Sequence, residues 1–148
     1  MNESVRSTTP SVIIIGTGFG GLCMAIQLRN AGIETFTLLE KASGVGGTWR
    51  DNTYPGAACD VQSHLYSFSF EPKHDWSRKF GLQPEILDYM QHCVEKYDLA
   101  GHIQFNNEVA SAVFNEATNT WTVGTSAGES FTARYVVTAL GLLAATNI

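Results

Sequence analysis

The spacing of apolar residues changes several times along the chain, and each change marks an element. Residues 12–15 are four β-branched apolar residues in a row, Val-Ile-Ile-Ile. The run is too short for a helix of its own and ends at Gly16, which predicts a buried strand. Ala25, Leu28 and Gly32 then recur at helical spacing, giving a small, close-packing inner face and a glycine stop. Residues 35–39 read as a second strand. Residues 41–60 carry no period: four glycines, Gly44, Gly46, Gly47 and Gly56, interspersed with Trp, Tyr and Pro predict a long shaped loop without a regular strand or helix. Residues 70–82 mix polar and aromatic types and read as a solvated loop. Gln83-Pro84-Glu85 opens a helix, with Pro early and an acid in the first turn. Its apolar positions Ile86, Leu87, Met90, Val94 and Tyr97 share one face. From Ile103 the period falls to two, through Phe105 and residues 109–114, then 120–123, 130–134 and 135–137, with turns at 115–119 and around 127–129. This predicts an antiparallel meander that returns the chain to a parallel sheet. The fold class is α/β.

Between the first strand and the first helix stands Gly16-Thr17-Gly18-Phe19-Gly20-Gly21, a G-x-G-x-x-G. Gly16 permits the tight turn, Gly18 lets a pyrophosphate approach the backbone, and Gly21 lets the helix sit close on the strand. Phe19, inside the fingerprint, belongs to the same site. The helix N-terminus offers unpaired N–H groups and partial positive charge to phosphates. Glu40 closes the second strand, 22 residues beyond Gly18. A carboxylate there accepts hydrogen bonds from a ribose hydroxyl and repels a 2′-phosphate, so the site suits FAD or NAD and disfavours NADP.

Composition narrows the classes. At 148 residues the chain is long enough for one domain with its own core. With 44% hydrophobic and 16% charged residues it is globular in composition, and its net charge of −5 argues against nucleic acid or an anionic membrane as partner. No stretch approaches the roughly 18 apolar residues of a membrane span. Residues 1–10 lack an apolar signal core and read as a disordered lead-in to a domain over 11–148, in a cytoplasmic protein. Cys23, Cys59 and Cys93 have no metal-type spacing and read as free thiols; no metal is expected. His64 and His92 read as structural. His74 and Asp75 are neighbours in sequence, which seldom lets two side chains face each other, so they are not taken as a dyad.

The segment 46–60, GGTWRDNTYPGAACD, resembles the signature of Baeyer–Villiger monooxygenases, Ala or Gly, then G-x-W-x-x-x-x, Phe or Tyr, Pro, Gly or Met, and x-x-x-D, with every specified position matched. The continuation over 61–68 is similar to the family as well, and the two motifs stand in the family's order. Arg50-Asp51-Asn52-Thr53 departs from the residues many members carry, which leaves the subfamily open.

The resemblance implies a Rossmann-like FAD-binding domain with a parallel sheet and an inserted antiparallel β-meander. It implies that Glu40 binds the adenosine ribose, that Gly47, Thr48 and Trp49 line FAD, and that Tyr66 touches it. Asp60 would lie near the flavin and the nicotinamide, and Val109 would pin the adenine through its backbone. The bland alternatives are core aromatics for Trp49 and Tyr66, and a turn residue for Asp60, whose carboxylate after Cys59 in an apolar context would need a partner. The family activity is the NADPH- and O2-dependent oxidation of ketones to esters or lactones. Its second, NADP-binding domain and its catalytic Arg have no counterpart among these residues, so the chain alone is expected to be inactive and to need a C-terminal portion or another chain. A flavin monooxygenase acting on N or S atoms, a stand-alone FAD-binding module and an NAD-dependent dehydrogenase domain are the rivals.

Overall fold

The computed structural model describes residues 12–141. The expected lead-in at 1–10 lies outside the described residues, as do Ser11 and residues 142–148. Strand β1 (Val12–Ile15) leads into helix α1 (Phe19–Asn30) and strand β2 (Phe36–Leu39). A single helical turn α2 (Thr48–Asp51) follows, then α3 (Gln83–Lys96) and the two-residue strand β3 (Ile103–Gln104). Strands β4 (Val109–Asn115), β5 (Thr120–Thr125) and β6 (Ser130–Ala133) precede β7 (Tyr135–Thr138).

Two sheets result. One is parallel, in the order β3-β2-β1-β7, and the other is the antiparallel meander β4-β5-β6. β1 is in register with β2 from Val12↔Phe36 to Ile15↔Leu39, and with β7 from Val12↔Tyr135 to Ile15↔Thr138. Because side chains alternate across a strand, β1 serves two cores at once. Val12 and Ile14 face a core shared with Leu22, Ala25 and Ile26 of α1 and with Tyr89, Met90 and Cys93 of α3. Ile13 and Ile15 face Val123 and Ala133 of the meander. Ile13 and Ile14 have no exposed surface. Full burial of such side chains stabilises by about 1.5–3 kcal/mol each. Helix α1 ends as expected, with Gly32 at φ 75° just past its last turn.

Four expectations need correction. Residues 41–60 are not wholly irregular, because Gly47 at φ 50° turns the chain into α2. Residues 70–82 are not simply a solvated loop: Phe70 and Trp76 pack against the main core, and the Glu71 carboxylate takes hydrogen bonds from Lys96 and from the Tyr97 hydroxyl. Ile103 does not start the meander but joins the parallel sheet, opposite Leu38. The buried face of α3 runs through Ile86, Tyr89, Met90 and Cys93, with Leu87, Val94 and Tyr97 only half-buried. Tyr89 pulls that face round, since its ring packs near Phe19 and Phe68 and its hydroxyl takes the Phe68 amide at 2.9 Å.

Among the described residues no helix is long and apolar enough to cross a membrane. No cluster there could hold a metal ion, and all three cysteines are free. The outer edge of β7 has no strand partner among the described residues, and Tyr135 at its start and Leu140 just beyond it are 62% and 61% exposed.

Candidate functional site

A cleft of about 1030 Å³ opens where β1, β2 and β7 end, at the carboxyl ends of parallel strands where such sheets bind their ligands. Its floor is the glycine turn. Gly16 sits at φ 101°, and a Cβ there would lie 2.7 Å from the Ala139 carbonyl oxygen. A Cβ on Gly21 would lie 2.0 Å from the Gly16 carbonyl oxygen. That contact lets α1 start directly above β1, so Gly21 acts inside the packing and is not part of the cleft wall. Gly18 is the opposite case: a Cβ there would meet nothing within 4 Å, because the residue faces the open cleft.

The N-terminus of α1 has no side-chain cap and no acid in its first turn. Its first amides therefore lack intrahelical partners and point toward the cleft, with the helix dipole adding partial positive charge. Gly47 closes over them: its Cβ, if present, would stand 3.4 Å from the Gly18 Cα. The Gly46 amide donates to the Thr17 carbonyl at 3.1 Å and locks the two glycine turns together.

Glu40 sits at the end of β2 and is 4% exposed. Its Oε2 accepts from the Thr17 amide at 3.0 Å and the Thr17 hydroxyl at 2.6 Å. Its Oε1 accepts from the Ala42 amide at 3.0 Å and pairs with Arg50 Nη1 at 3.1 Å. Burial acts to raise the carboxyl, but the Thr17 hydroxyl, the Ala42 and Thr17 amides and the Arg50 guanidinium outweigh it and hold its pKa below the usual value. The carboxylate is thus ionised and fixed in direction.

The far wall is aromatic. Trp49 Nε1 donates to the Tyr66 hydroxyl at 3.0 Å, and Phe19 meets Tyr66 edge-on with centroids 5.2 Å apart. Burial, with the Cys59 thiol and Asp60 nearby, pushes the Tyr66 phenol up despite the bond from Trp49. The strip carrying Cys59 and Asp60 is zipped to the entry of α3, with the Cys59 amide on the Gly81 carbonyl at 2.8 Å and the Gln83 amide on the Ala57 carbonyl at 2.9 Å. The Gln83 side-chain amide also donates to the Trp49 carbonyl and anchors α2. Asp60 lies exposed at the rim, where water solvates it, so no buried partner is needed.

The structure therefore brings Gly16, Gly18, Phe19, Glu40, Gly47 and Thr48 onto one cleft, together with Trp49, Asp60, Tyr66 and Val109. His64, His74 and His92 lie on the exterior, and Asp75 pairs with Lys73 at 2.7 Å. Sequence reasoning missed Thr17, Arg50 and Asn107. Thr17 is a variable position of the fingerprint, and only the folded chain brings Arg50 to Glu40. Asn107 lines the adjacent wall, its amide donating to the Glu40 carbonyl at 2.9 Å.

Fold and site together define a Rossmann-like dinucleotide-binding region, and residues 14–81 match the family of NAD(P)-binding Rossmann-like domains. The likeness extends to particular relatives. The chain is 50% identical over 130 residues to a Baeyer–Villiger monooxygenase of Pseudomonas aeruginosa, covering 88% of this chain and 25% of that one. It is 47% identical over 135 residues to the phenazine N-monooxygenase PhzNO1 of Lysobacter antibioticus, with the same coverage of 88% and 25%. A crystal structure of OTEMO in complex with FAD and NADP superposes with a TM-score of 0.88 at 31% identity, over 97% of this chain and 28% of that one. The chain is similar to part of these monooxygenases and spans about a quarter of their length.

Proposed function

We propose that this chain binds FAD non-covalently and forms the FAD-binding part of an NADPH- and O2-dependent monooxygenase that oxidises ketones to esters or lactones. The observation that carries the reading is the pairing, in one cleft, of an uncapped α1 N-terminus with the buried, ionised Glu40. The first suits a diphosphate and the second a ribose hydroxyl. The fit is supported by the open space at Gly18 and by a volume at the upper end of small-molecule sites. A bound flavin would supply the hydride acceptance and oxygen chemistry.

The chain's own residues do the rest. The α1 amides, approached past Gly18 and Gly47, hold the phosphates, and Glu40 takes the ribose. Backbone at Val109 receives the adenine. Thr48, Trp49 and Tyr66 form the wall that orients the flavin and excludes water, and Asp60 places a negative charge at the rim toward the nicotinamide. The NADP-binding domain and catalytic Arg lie outside these residues, so residues 1–148 alone do not turn over substrate. That the chain spans a quarter of its relatives supports this division.

The test is a fluorescence titration of folded protein with FAD. Saturable quenching is expected in the parent and is lost in Gly18→Val, whose side chain enters the diphosphate space from a position where an added Cβ meets no protein atom within 4 Å. A parent protein that carries no flavin and takes up none overturns the reading. A second reading, oxygenation of an aromatic nitrogen, is favoured by the 47% identity to the Lysobacter N-monooxygenase. Comparing turnover of a cyclic ketone with that of a phenazine, using a chain extended to the relatives' length, separates the two.

A further inference from the structure

An ionised carboxylate accepts through two oxygens and about four lone-pair directions, and at Glu40 each meets a donor. Oε2 takes the Thr17 amide and hydroxyl; Oε1 takes the Ala42 amide and Arg50 Nη1. A ribose hydroxyl that donates to Glu40 must therefore displace one of the four. Two are backbone amides fixed by the β1–α1 turn and the end of β2. The third belongs to Thr17, which has no exposed surface, so withdrawing its hydroxyl strands a buried polar group. The fourth is different. Arg50 Nη1 also donates to the Gly44 carbonyl at 2.6 Å, while Nε and Nη2 grip Asp51 at 2.8 and 3.1 Å. When Arg50 releases Glu40, its guanidinium keeps three hydrogen bonds and a half-exposed carboxylate partner.

We propose that Arg50 is a positioning residue for ribose recognition, holding the exchangeable lone pair of Glu40 Oε1 in the ligand-free protein and yielding it to one ribose hydroxyl as the dinucleotide enters. This rests on the FAD-binding reading above. Arg50 keeps a buried anion paired and correctly aimed before the ligand arrives. In return, each binding event exchanges an ion pair for a charge-assisted hydrogen bond, which blunts the gain from the hydroxyl.

The exchange predicts an unusual sign. Removing a cation from a site for an anionic ligand ordinarily weakens binding of every such ligand alike. Here, losing Arg50 sharpens hydroxyl recognition, because nothing competes for Oε1. Calorimetric titration of the whole chain with ADP and with 2′,3′-dideoxy-ADP reads this as the ratio of the two dissociation constants. The preference for ADP should rise roughly fivefold in Arg50→Met, the worth of about one net hydrogen bond, and should disappear in Glu40→Gln. If Arg50→Met does not fold, Arg50→Gln, which is uncharged and ends two bonds short of the Nη1 that meets Glu40, should show the same rise. An unchanged or smaller preference, with both ligands weakened in parallel, makes Arg50 a brace or a phosphate contact and overturns the proposal while leaving FAD binding intact. A parent chain that binds neither ADP nor FAD overturns both.

Discussion

The two sheets of this molecule are built to different standards. In the parallel sheet every residue of β1 is buried and works for a core on one side or the other. In the meander, β4 is exposed from Ala110 to Asn115, with Val113 62% and Phe114 43% open to solvent, and only Val123, Thr125 and Ala133 are buried across all three strands. The cleft follows that difference. Its glycine turns and Glu40 stand on the parallel sheet, while the meander contributes Val109, the one half-buried residue of β4. A site of the proposed kind, which would hold phosphates and a ribose in fixed positions, rests here on elements whose rotamers are locked by packing. The meander behaves as a cover for Ile13 and Ile15.

Substitutions can break that contrast. The largest effect is expected at Gly21→Ala, because its Cβ would meet backbone, 2.0 Å from the Gly16 carbonyl oxygen, and α1 could not stay on β1. Destabilisation above about 4 kcal/mol, seen as loss of the urea transition, is expected. A variant that unfolds like the parent would show that α1 is free to shift. Next comes Ile26→Ala, fully buried under the parallel sheet, with about 2–5 kcal/mol lost in the same assay.

Glu40→Gln sharpens the comparison through pH. The folded carboxyl is held below its unfolded value, so its contribution is fully present above the ordinary carboxylate value and is lost as pH falls through the lowered one. The parent should lose stability in acid faster than Glu40→Gln, whose curve should be flatter across that window. Glu71, lowered chiefly by Lys96, bends both curves alike and cancels in the difference. Parallel curves would mean that Arg50 and Thr17 do not hold Glu40 in solution. Smallest is Val113→Thr on β4, which should stay within about 0.5 kcal/mol of the parent. A larger loss would mean that the outer face of β4 is covered in solution.

What could be read beforehand follows the same divide. β1, the glycine turn, α1 and the terminal Glu40 announce themselves because each has a local cause: a β-branched run, a backbone requirement, a strand-end carboxylate. The meander's strands were legible from their period of two. The misreadings concern partners distant in sequence. Nothing near Thr48 says that the Gln83 side chain will hold one helical turn in place. Nothing near Trp76 says that it packs with Tyr89. β3 is two residues long, too short for any period, and belongs to the parallel sheet only because Ile103 meets Leu38. At the site, Glu40 was legible as a strand-end carboxylate, yet its pairing with Arg50 came from the fold.

Among the described residues the outer edge of β7 has no strand partner, which has a consequence for handling the protein. At the other end of the parallel sheet, β3 offers only two residues to a passing strand, whereas β7 offers four, beginning with exposed Tyr135 and followed by exposed Leu140. An uncovered row of backbone donors and acceptors is a template for another chain. Concentrated stocks of the chain as given should therefore grow by lateral association at this end of the sheet, and a net charge of −5 spread over 148 residues gives only modest colloidal protection against it.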